Sequence, residues 1–140
     1  MNNTVRINAK EHKYWNSDSA DYWVSQKPAL DRLLAPWARL LLEAAELSGG
    51  EQIADIGCGT GATTLKFAAS VGAGGRVTGI DLSRKLIDSA IKSARERAIE
   101  NVIFVEADAA ENRFPCPQDL MVSRCGVVFF GDLGAAFSHL

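Results

Sequence analysis

The sequence of 140 residues lacks several features that would place it in particular classes of protein. It has no apolar run near the roughly 20 residues that a membrane-spanning helix needs, so we expect no membrane association. Its first residues lack the basic-then-apolar pattern of a secretory signal, which predicts a cytoplasmic location. A formal net charge of -2 leaves no excess of positive charge to follow a phosphate backbone. We therefore expect no nucleic-acid partner.

Cysteine and histidine are also scarce. Cys58, Cys116 and Cys125 do not have paired metal-ligand spacing, and the two histidines lie at opposite ends of the sequence. We therefore expect reduced thiols and no bound metal. A hydrophobic content of 47% and a charged content of 23% are typical of a globular protein, and the length fits one domain.

The N-terminal third has a helical pattern. Apolar residues recur at intervals of three and four between Leu30 and Ala45. Pro28 suits a first helical turn, whereas Pro36 should kink the helix or split it in two. Aromatic residues near the start could cover a bound ligand or pack a helix onto the rest of the fold, and these are Tyr14, Trp15, Tyr22 and Trp23.

From residue 48 onward, short β-rich runs alternate with helical runs. Strands are predicted over residues 52–56, 76–80, 101–106 and 119–123, and helices over residues 60–70, 83–99 and 132–140. This alternation predicts an α/β fold with a parallel sheet, right-handed crossovers and the strand order 3-2-1-4. Open sheets of this kind bind ligands where the strand order reverses, here between the first and fourth strands. We expect Gly57 and Ser123 to face that cleft.

Three alternate glycines follow the first strand and precede a helix. A side chain at Gly57, Gly59 or Gly61 would block a ligand or forbid the turn, so this segment predicts a nucleotide-like cofactor. Glycines at this spacing alone also fit a dinucleotide-binding turn. The glycine spacing therefore leaves the class of cofactor open.

Two acidic residues at the ends of later strands narrow the choice. Asp81 ends the second strand, where a carboxylate can accept hydrogen bonds from both hydroxyls of a ribose. Asp108 follows the third strand and is placed to reach an adenine amino group. Without a ligand, Asp81 could cap a helix and Asp108 a turn.

These segments resemble the class I S-adenosylmethionine-dependent methyltransferases. The sequence Asp-Ile-Gly-Cys-Gly-Thr-Gly at 55–61 looks like their first motif, Gly-Ile-Asp-Leu-Ser at 79–83 like the second, and Val-Glu-Ala-Asp-Ala at 105–109 like the third. The segment 119–130 and the aromatic N-terminal stretch are similar to a small-molecule branch, the ubiquinone/menaquinone-biosynthesis-type methyltransferases. The resemblance implies in-line transfer of a methyl group from S-adenosylmethionine to a small-molecule acceptor.

The resemblance also implies how the cofactor lies. Its methionine part would lie against the glycine turn, its ribose at Asp81 and its adenine between Leu82 and Asp108. Asp55 would favour the ammonium and sulfonium groups, and Ser123 would touch the cofactor from the fourth strand. No residue is a convincing general base, so no catalytic residue is assigned. The cofactor-binding residues implied are Asp55, Gly57, Cys58, Gly59, Gly61, Asp81, Leu82, Asp108, Ala109 and Ser123.

The sequence departs from the family in its length. The family's sheet has seven strands, and residues 1–140 supply the first four as a single, partial domain. Residues 1–47 would be a helical cap and residues 48–140 the cofactor-binding half. The fourth strand would then be an exposed hydrophobic edge that favours self-association, and turnover would be weak or absent.

Two other functions stay open at this point. One is an NAD-dependent oxidoreductase half-domain, because the glycine spacing fits that class too. The other is a non-enzymatic fragment that pairs with another chain through the exposed fourth strand.

Overall fold

The computed structural model describes residues 8–140. The elements, in chain order, are α1 (Ala9–Trp15), α2 (Asp18–Ser25), α3 (Lys27–Ala45), β1 (Gln52–Ile56), α4 (Ala62–Val71), β2 (Arg76–Asp81), α5 (Arg84–Glu96), β3 (Val102–Glu106), β4 (Leu120–Val122), a 3-10 helix (Gly126–Phe129) and α6 (Leu133–His139). Among these helices, none is long and apolar enough to cross a bilayer.

From Ala9 to Ala45 the chain is mainly helical, as its apolar spacing predicts. Pro28 lies in the first turn of α3, where a missing amide donor costs little. Of the kink or split expected at Pro36, the split is not observed, because α3 continues through this residue and the boundary between helices falls earlier, at Gln26. Loss of one hydrogen bond at Pro36 is offset by packing, since Leu41 and Leu42 of α3 lie against the buried core.

The sheet is parallel throughout and has the predicted strand order, β3-β2-β1-β4. The central strand, β1, pairs with β2 on one side and with β4 on the other. Asp55 therefore lies opposite Gly79 in β2 and Val122 in β4. The carboxyl ends of all four strands meet at one edge, which is the edge that positions a ligand site in such folds.

Both faces of the sheet carry a hydrophobic core, as the alternation of side chains along a strand requires. On one face, Ile53 and Val77 pack with Phe67 of α4, which is fully buried. On the other, Ile56 and Ile80 pack with partly buried residues that include Phe114, Phe130 and Leu140. Truncating a buried aromatic side chain such as Phe67 to alanine costs about 3–5 kcal/mol, so Phe67 contributes strongly to the stability of the sheet face that α4 covers.

The ends of α4 and α5 follow from their caps. Gly61, with φ +84°, precedes α4, which begins two residues after its predicted start. Ser83 is the N-cap of α5, as predicted, and its hydroxyl accepts a hydrogen bond from the Leu86 amide at 3.4 Å. The α5 helix ends at Glu96 rather than at the predicted Ile99, because Ala98 has left-handed backbone.

Candidate functional site

A cavity of about 230 Å³ lies at the carboxyl ends of the strands. Residues at or just after the end of each of the four strands line it. These are Gly57 after β1, Asp81 at the end of β2, Asp108 after β3 and Arg124 after β4. Residues far apart in sequence are thus brought together at one site.

The glycine turn forms the floor of this cavity. Gly57, Gly59 and Gly61 all have positive φ, at +68°, +55° and +84°. The amides of Gly57 and Cys58 both donate to the carbonyl oxygen of Ile80, at 2.8 and 3.0 Å, so the turn is fixed to the end of β2. A bare backbone held in this way can approach a ligand closely.

The three glycines differ in what a side chain would meet. A Cβ at Gly57 would lie 2.5 Å from the Cα of Gly126, whereas a Cβ at Gly59 would meet nothing within 4 Å. A Cβ at Gly61 would meet Ala90 of α5 at 3.0 Å and the Phe104 ring at 3.1 Å. Gly57 and Gly61 therefore permit packing within the protein, and Gly59 keeps open space beside the cavity it lines.

Asp81 joins the glycine turn to the start of α5. One carboxylate oxygen accepts from the Gly59 amide and the other from the Ser83 amide, both at 2.9 Å. Burial raises the pKa of Asp81, although these amide hydrogen bonds partly oppose that effect. Each oxygen has a further lone pair, so the carboxylate can still accept hydrogen bonds from a ligand in the cavity.

Asp108 also lines the cavity, together with the neighbouring Ala109. Its carboxylate accepts hydrogen bonds from the side-chain amide of Asn8 and from the backbone amide of Ala110, each at 2.9 Å. Leu82 lies in the same wall. The cavity is thus lined by both an apolar side chain and a carboxylate, a combination that suits a flat base with an amino group.

Asp55 lies behind the glycine turn, outside the cavity wall. It is 1% exposed, and Thr64 of α4 donates to its carboxylate at 2.7 Å. Burial raises the pKa of Asp55 to about 6, while the Thr64 hydrogen bond and the positive charge of Arg124 act in the opposite direction. A negative charge at this position is therefore costly.

The position predicted for Ser123, facing the cleft, is not observed. Its hydroxyl donates to the carbonyl oxygen of Ile56 at 2.8 Å and accepts from the Val127 amide at 3.2 Å, which holds the 3-10 helix against the end of β1. Cys58 does line the cavity. Burial raises the pKa of its thiol, which keeps it protonated.

Aromatic side chains close another side of the cavity. Trp15 and Trp23 line it, with ring centroids 6.0 Å apart, and Trp15 also meets Phe129 edge-on at 5.2 Å. Tyr14 and Tyr22, by contrast, are more than half exposed. Of the two roles open to the N-terminal aromatics, the tryptophans are placed to cover a ligand.

Two charged residues line the cavity although neither belongs to the glycine motif or to the acids at the strand ends, so the sequence motifs did not predict them. Asp31, on α3, is paired with Lys27 at 2.5 Å, and Arg124 directly follows Ser123. The position of Arg124 after a parallel strand could have identified it, but nothing in the sequence pattern places α3 beside the cavity. Within residues 8–140, no cluster of histidine, cysteine or acidic side chains has the arrangement of a metal site.

Comparison with known families agrees with this geometry. A family model described as "Methyltransferase domain" matches residues 53–140, which contain β2, β3 and β4 and all of β1 except its first residue, Gln52. The chain belongs to this methyltransferase family.

Individual relatives carry methyltransferase names. Aklanonic acid methyltransferase DauC from Streptomyces sp. (strain C5) is 36% identical over 105 residues, which are 74% of this chain and 48% of that protein. The ubiquinone/menaquinone biosynthesis C-methyltransferase UbiE of Vibrio cholerae is 30% identical over 116 residues, 80% of this chain and 45% of that protein. The chain therefore spans about half the length of these curated relatives.

The fold is also that of a solved methyltransferase. Magnesium protoporphyrin IX methyltransferase (ChlM) from Synechocystis PCC 6803, solved with bound SAM, superimposes with a TM-score of 0.73 at 22% identity. The match covers 99% of this chain and 72% of that one. It shows that the four-stranded arrangement is a Rossmann-like methyltransferase fold.

Proposed function

We propose that this chain binds S-adenosylmethionine in the cavity at the strand ends and transfers its methyl group to a small molecule. The observation that carries the proposal is the convergence of Gly59, Asp81 and Asp108, from three separate strand ends, on one cavity in a methyltransferase-family chain. Supporting this, the relatives named above are methyltransferases, and the ChlM structure holds SAM.

The polar parts of the cofactor match the glycine turn and Asp81. We assign the methionine part to the backbone of Gly57, Cys58 and Gly59, which all line the cavity, with open space beside Gly59. The ribose hydroxyls would donate to the carboxylate of Asp81, which already accepts one backbone amide on each oxygen. Asp81 thus acts as a prepared acceptor with little freedom to turn.

The adenine is assigned to the wall formed by Leu82, Asp108 and Ala109. Leu82 would contact a face of the ring, and Asp108 would accept from its amino group. The remaining predicted residues support the turn. Asp55 lies behind it and Ser123 holds the end of β1, so their effects on the cofactor would be indirect.

The methyl acceptor is assigned to the aromatic side of the cavity. Trp15, Trp23 and Phe129 offer a largely apolar surface suited to a flat, mainly apolar small molecule. Transfer from a sulfonium releases a neutral thioether, so no acid is needed and placement of the two reactants carries most of the catalysis. Positioning of this kind supplies at most about 7–11 kcal/mol.

The division of the chain follows from these assignments. We propose residues 1–47, of which 1–7 lie outside the described residues, as a helical cap and residues 48–140 as the cofactor-binding half, since the tryptophans of α1 and α2 close a cavity built by the strand ends. A cytoplasmic location stays a prediction from the sequence. Self-association through β4 also stays a prediction, and its support is that β4 is an edge strand whose Met121 is 36% exposed.

Titration with S-adenosylhomocysteine tests the cofactor assignment. Because Trp15 and Trp23 line the cavity, we expect saturable changes in tryptophan fluorescence, whereas Trp37 on the outer surface of α3 should not contribute. NADH serves as the comparison ligand for the oxidoreductase alternative, which the matched family does not favour. Binding of NADH without binding of S-adenosylhomocysteine would contradict the proposal.

A further inference from the structure

Asn8 joins three separate segments of the chain. It directly precedes α1 and is 2% exposed. Its side-chain nitrogen lies 2.9 Å from both carboxylate oxygens of Asp108, and its side-chain oxygen accepts from the Gly131 amide at 2.6 Å. The start of α1 is thus tied to the loop after β3 and to the loop before α6.

The chemistry of these partners fixes the orientation of the Asn8 side chain. An ionised carboxylate only accepts hydrogen bonds, and the Gly131 amide only donates. Reversal of the Asn8 amide would therefore lose its contacts on both sides. Because the Ala110 amide also donates to Asp108, the carboxylate is held from two directions.

The contacts leave room for one more donor on Asp108. A carboxylate offers about four lone-pair positions, and the Asn8 nitrogen and Ala110 amide occupy about three of them. Asp108 lies between the main cavity and a second cavity of about 390 Å³, because it lines both. A donor in the main cavity can therefore reach the carboxylate while Asn8 stays in place on the other side.

We infer that Asn8 is a positioning residue for adenine selectivity: it holds the Asp108 carboxylate in the orientation that accepts the exocyclic amino group of the cofactor's base. This inference rests on the proposed function. The N-terminal segment would then help to recognise one functional group of the cofactor, in addition to covering the site. Asn8 acts on the base through Asp108 and does not take part in methyl transfer.

The test compares two ligands that differ at one position. S-adenosylhomocysteine carries the amino group, and S-inosylhomocysteine carries an oxygen in its place. The full chain should bind the adenosyl compound about tenfold or more tightly than the inosyl compound, because only the former presents an exocyclic amino donor to Asp108, whereas the latter places an acceptor oxygen there. Asn8→Ala should lower affinity for the adenosyl compound and bring this ratio close to one.

Asn16→Ala is the matched control. Asn16 also anchors α1, since its nitrogen donates to the Leu82 carbonyl oxygen at 2.9 Å and its oxygen accepts from the Arg84 amide at 3.1 Å. It makes no hydrogen bond with Asp108 among the contacts of residues 8–140. Loss of Asn16 should therefore weaken both ligands by a similar factor and preserve their ratio.

A second variant keeps the inference testable if Asn8→Ala folds poorly. Asn8→Leu fills a similar volume but offers no donor to Asp108, so it should also bring the ratio of the two affinities close to one. If Asn8→Ala lowered the affinity for both ligands by the same factor, Asn8 would have only a structural role and the inference would be overturned. If Asn8→Ala instead bound the adenosyl compound more tightly, Asn8 would be competing with the base for the Asp108 carboxylate, which would also overturn the inference. Failure of the unmodified chain to bind S-adenosylhomocysteine would instead reject the proposed function itself.

Discussion

The carboxylate of Asp81 accepts a hydrogen bond from the backbone amide of Gly59 at 2.9 Å, across 22 residues of sequence. This contact joins the end of β2 to the turn that follows β1. The residue assigned to the ribose and the backbone assigned to the methionine part therefore hold each other in place. Pre-formed sites of this kind lose less free energy to ordering when a ligand binds.

Replacement of Asp81 by asparagine should weaken binding of S-adenosylhomocysteine by about 10- to 100-fold. The amide group keeps only one acceptor oxygen, so either the Gly59 or the Ser83 hydrogen bond is lost along with one ribose contact. Titration with a 2′-deoxy analogue separates these effects. Removal of the ribose hydroxyl should lower the affinity of the unmodified chain but hardly change the affinity of Asp81→Asn. An equal loss of affinity in both proteins would mean that the ribose does not bind at Asp81.

Alanine at Gly57 and at Gly59 should have different effects on stability. At Gly57 the new Cβ would overlap the Gly126 backbone, and we expect a loss of about 3 kcal/mol in the free energy of unfolding. At Gly59 only the left-handed backbone is unfavourable, which costs about 1 kcal/mol. Urea unfolding measures both values. A Gly59→Ala variant as unstable as Gly57→Ala would mean that Gly59 is not beside open space.

Asp55 should make stability depend on pH in an unusual direction for a carboxylate. Because its pKa is raised to about 6 in the folded protein, the folded state holds the proton more tightly than the unfolded state. Its stabilising contribution is complete below about pH 4, the ordinary range of an aspartate, and is lost as the pH rises through 6. The contribution of Asp55 to the free energy of unfolding should change by on the order of 3 kcal/mol over this range of pH.

The Asp55→Asn variant isolates this effect, since asparagine mimics the protonated acid and Thr64 can still donate to its oxygen. The free energy of unfolding of the unmodified chain, minus that of the variant, should fall between pH 4 and pH 7. Asp81, whose pKa is also raised, is present in both proteins, so its own contribution cancels apart from its electrostatic effect on Asp55. A constant difference across this range would show that Asp55 is not titrating as the burial requires.

Self-association through β4 is tested by placing a charge on the edge. Met121 is exposed on this strand, and a lysine there should oppose pairing with another strand. Light scattering should give a concentration-dependent increase in mass for the unmodified chain and a monomer for Met121→Lys. A monomeric unmodified chain at all concentrations would reject the prediction.

The sequence predicted the sheet and most of the cavity floor because these depend on local patterns. Four β-rich runs, a glycine turn and acids at strand ends are each visible within a few residues, and together they define Gly57, Asp81 and Asp108. The roles of Asn8 and Asp31 were not visible, because they depend on how the N-terminal helices pack onto the strand ends. Ser123 was placed at the correct strand end, but the direction of its hydroxyl depends on the 3-10 helix that follows.

Pro36 shows a second reason why local sequence patterns do not predict the whole fold. A local rule favours a helix break at an internal proline, but α3 gains more from packing its apolar face against α4 and the sheet than it loses in one hydrogen bond. Long-range packing of this kind has no signature within the proline's own neighbourhood. The break instead falls at Gln26, which separates α2 from α3.

If the glycine turn holds the methyl donor, a side chain added to a glycine in the cavity should weaken cofactor binding, which calorimetric titration of two alanine variants with S-adenosylhomocysteine measures. Gly59 and Gly72 both have positive φ and open space around a new Cβ, but only Gly59 lines the cavity. We predict one-to-one binding by the unmodified chain and by Gly72→Ala, and a loss of roughly tenfold or more in affinity for Gly59→Ala. Equal affinities for the two variants, or no binding by the folded unmodified chain, would contradict the claim.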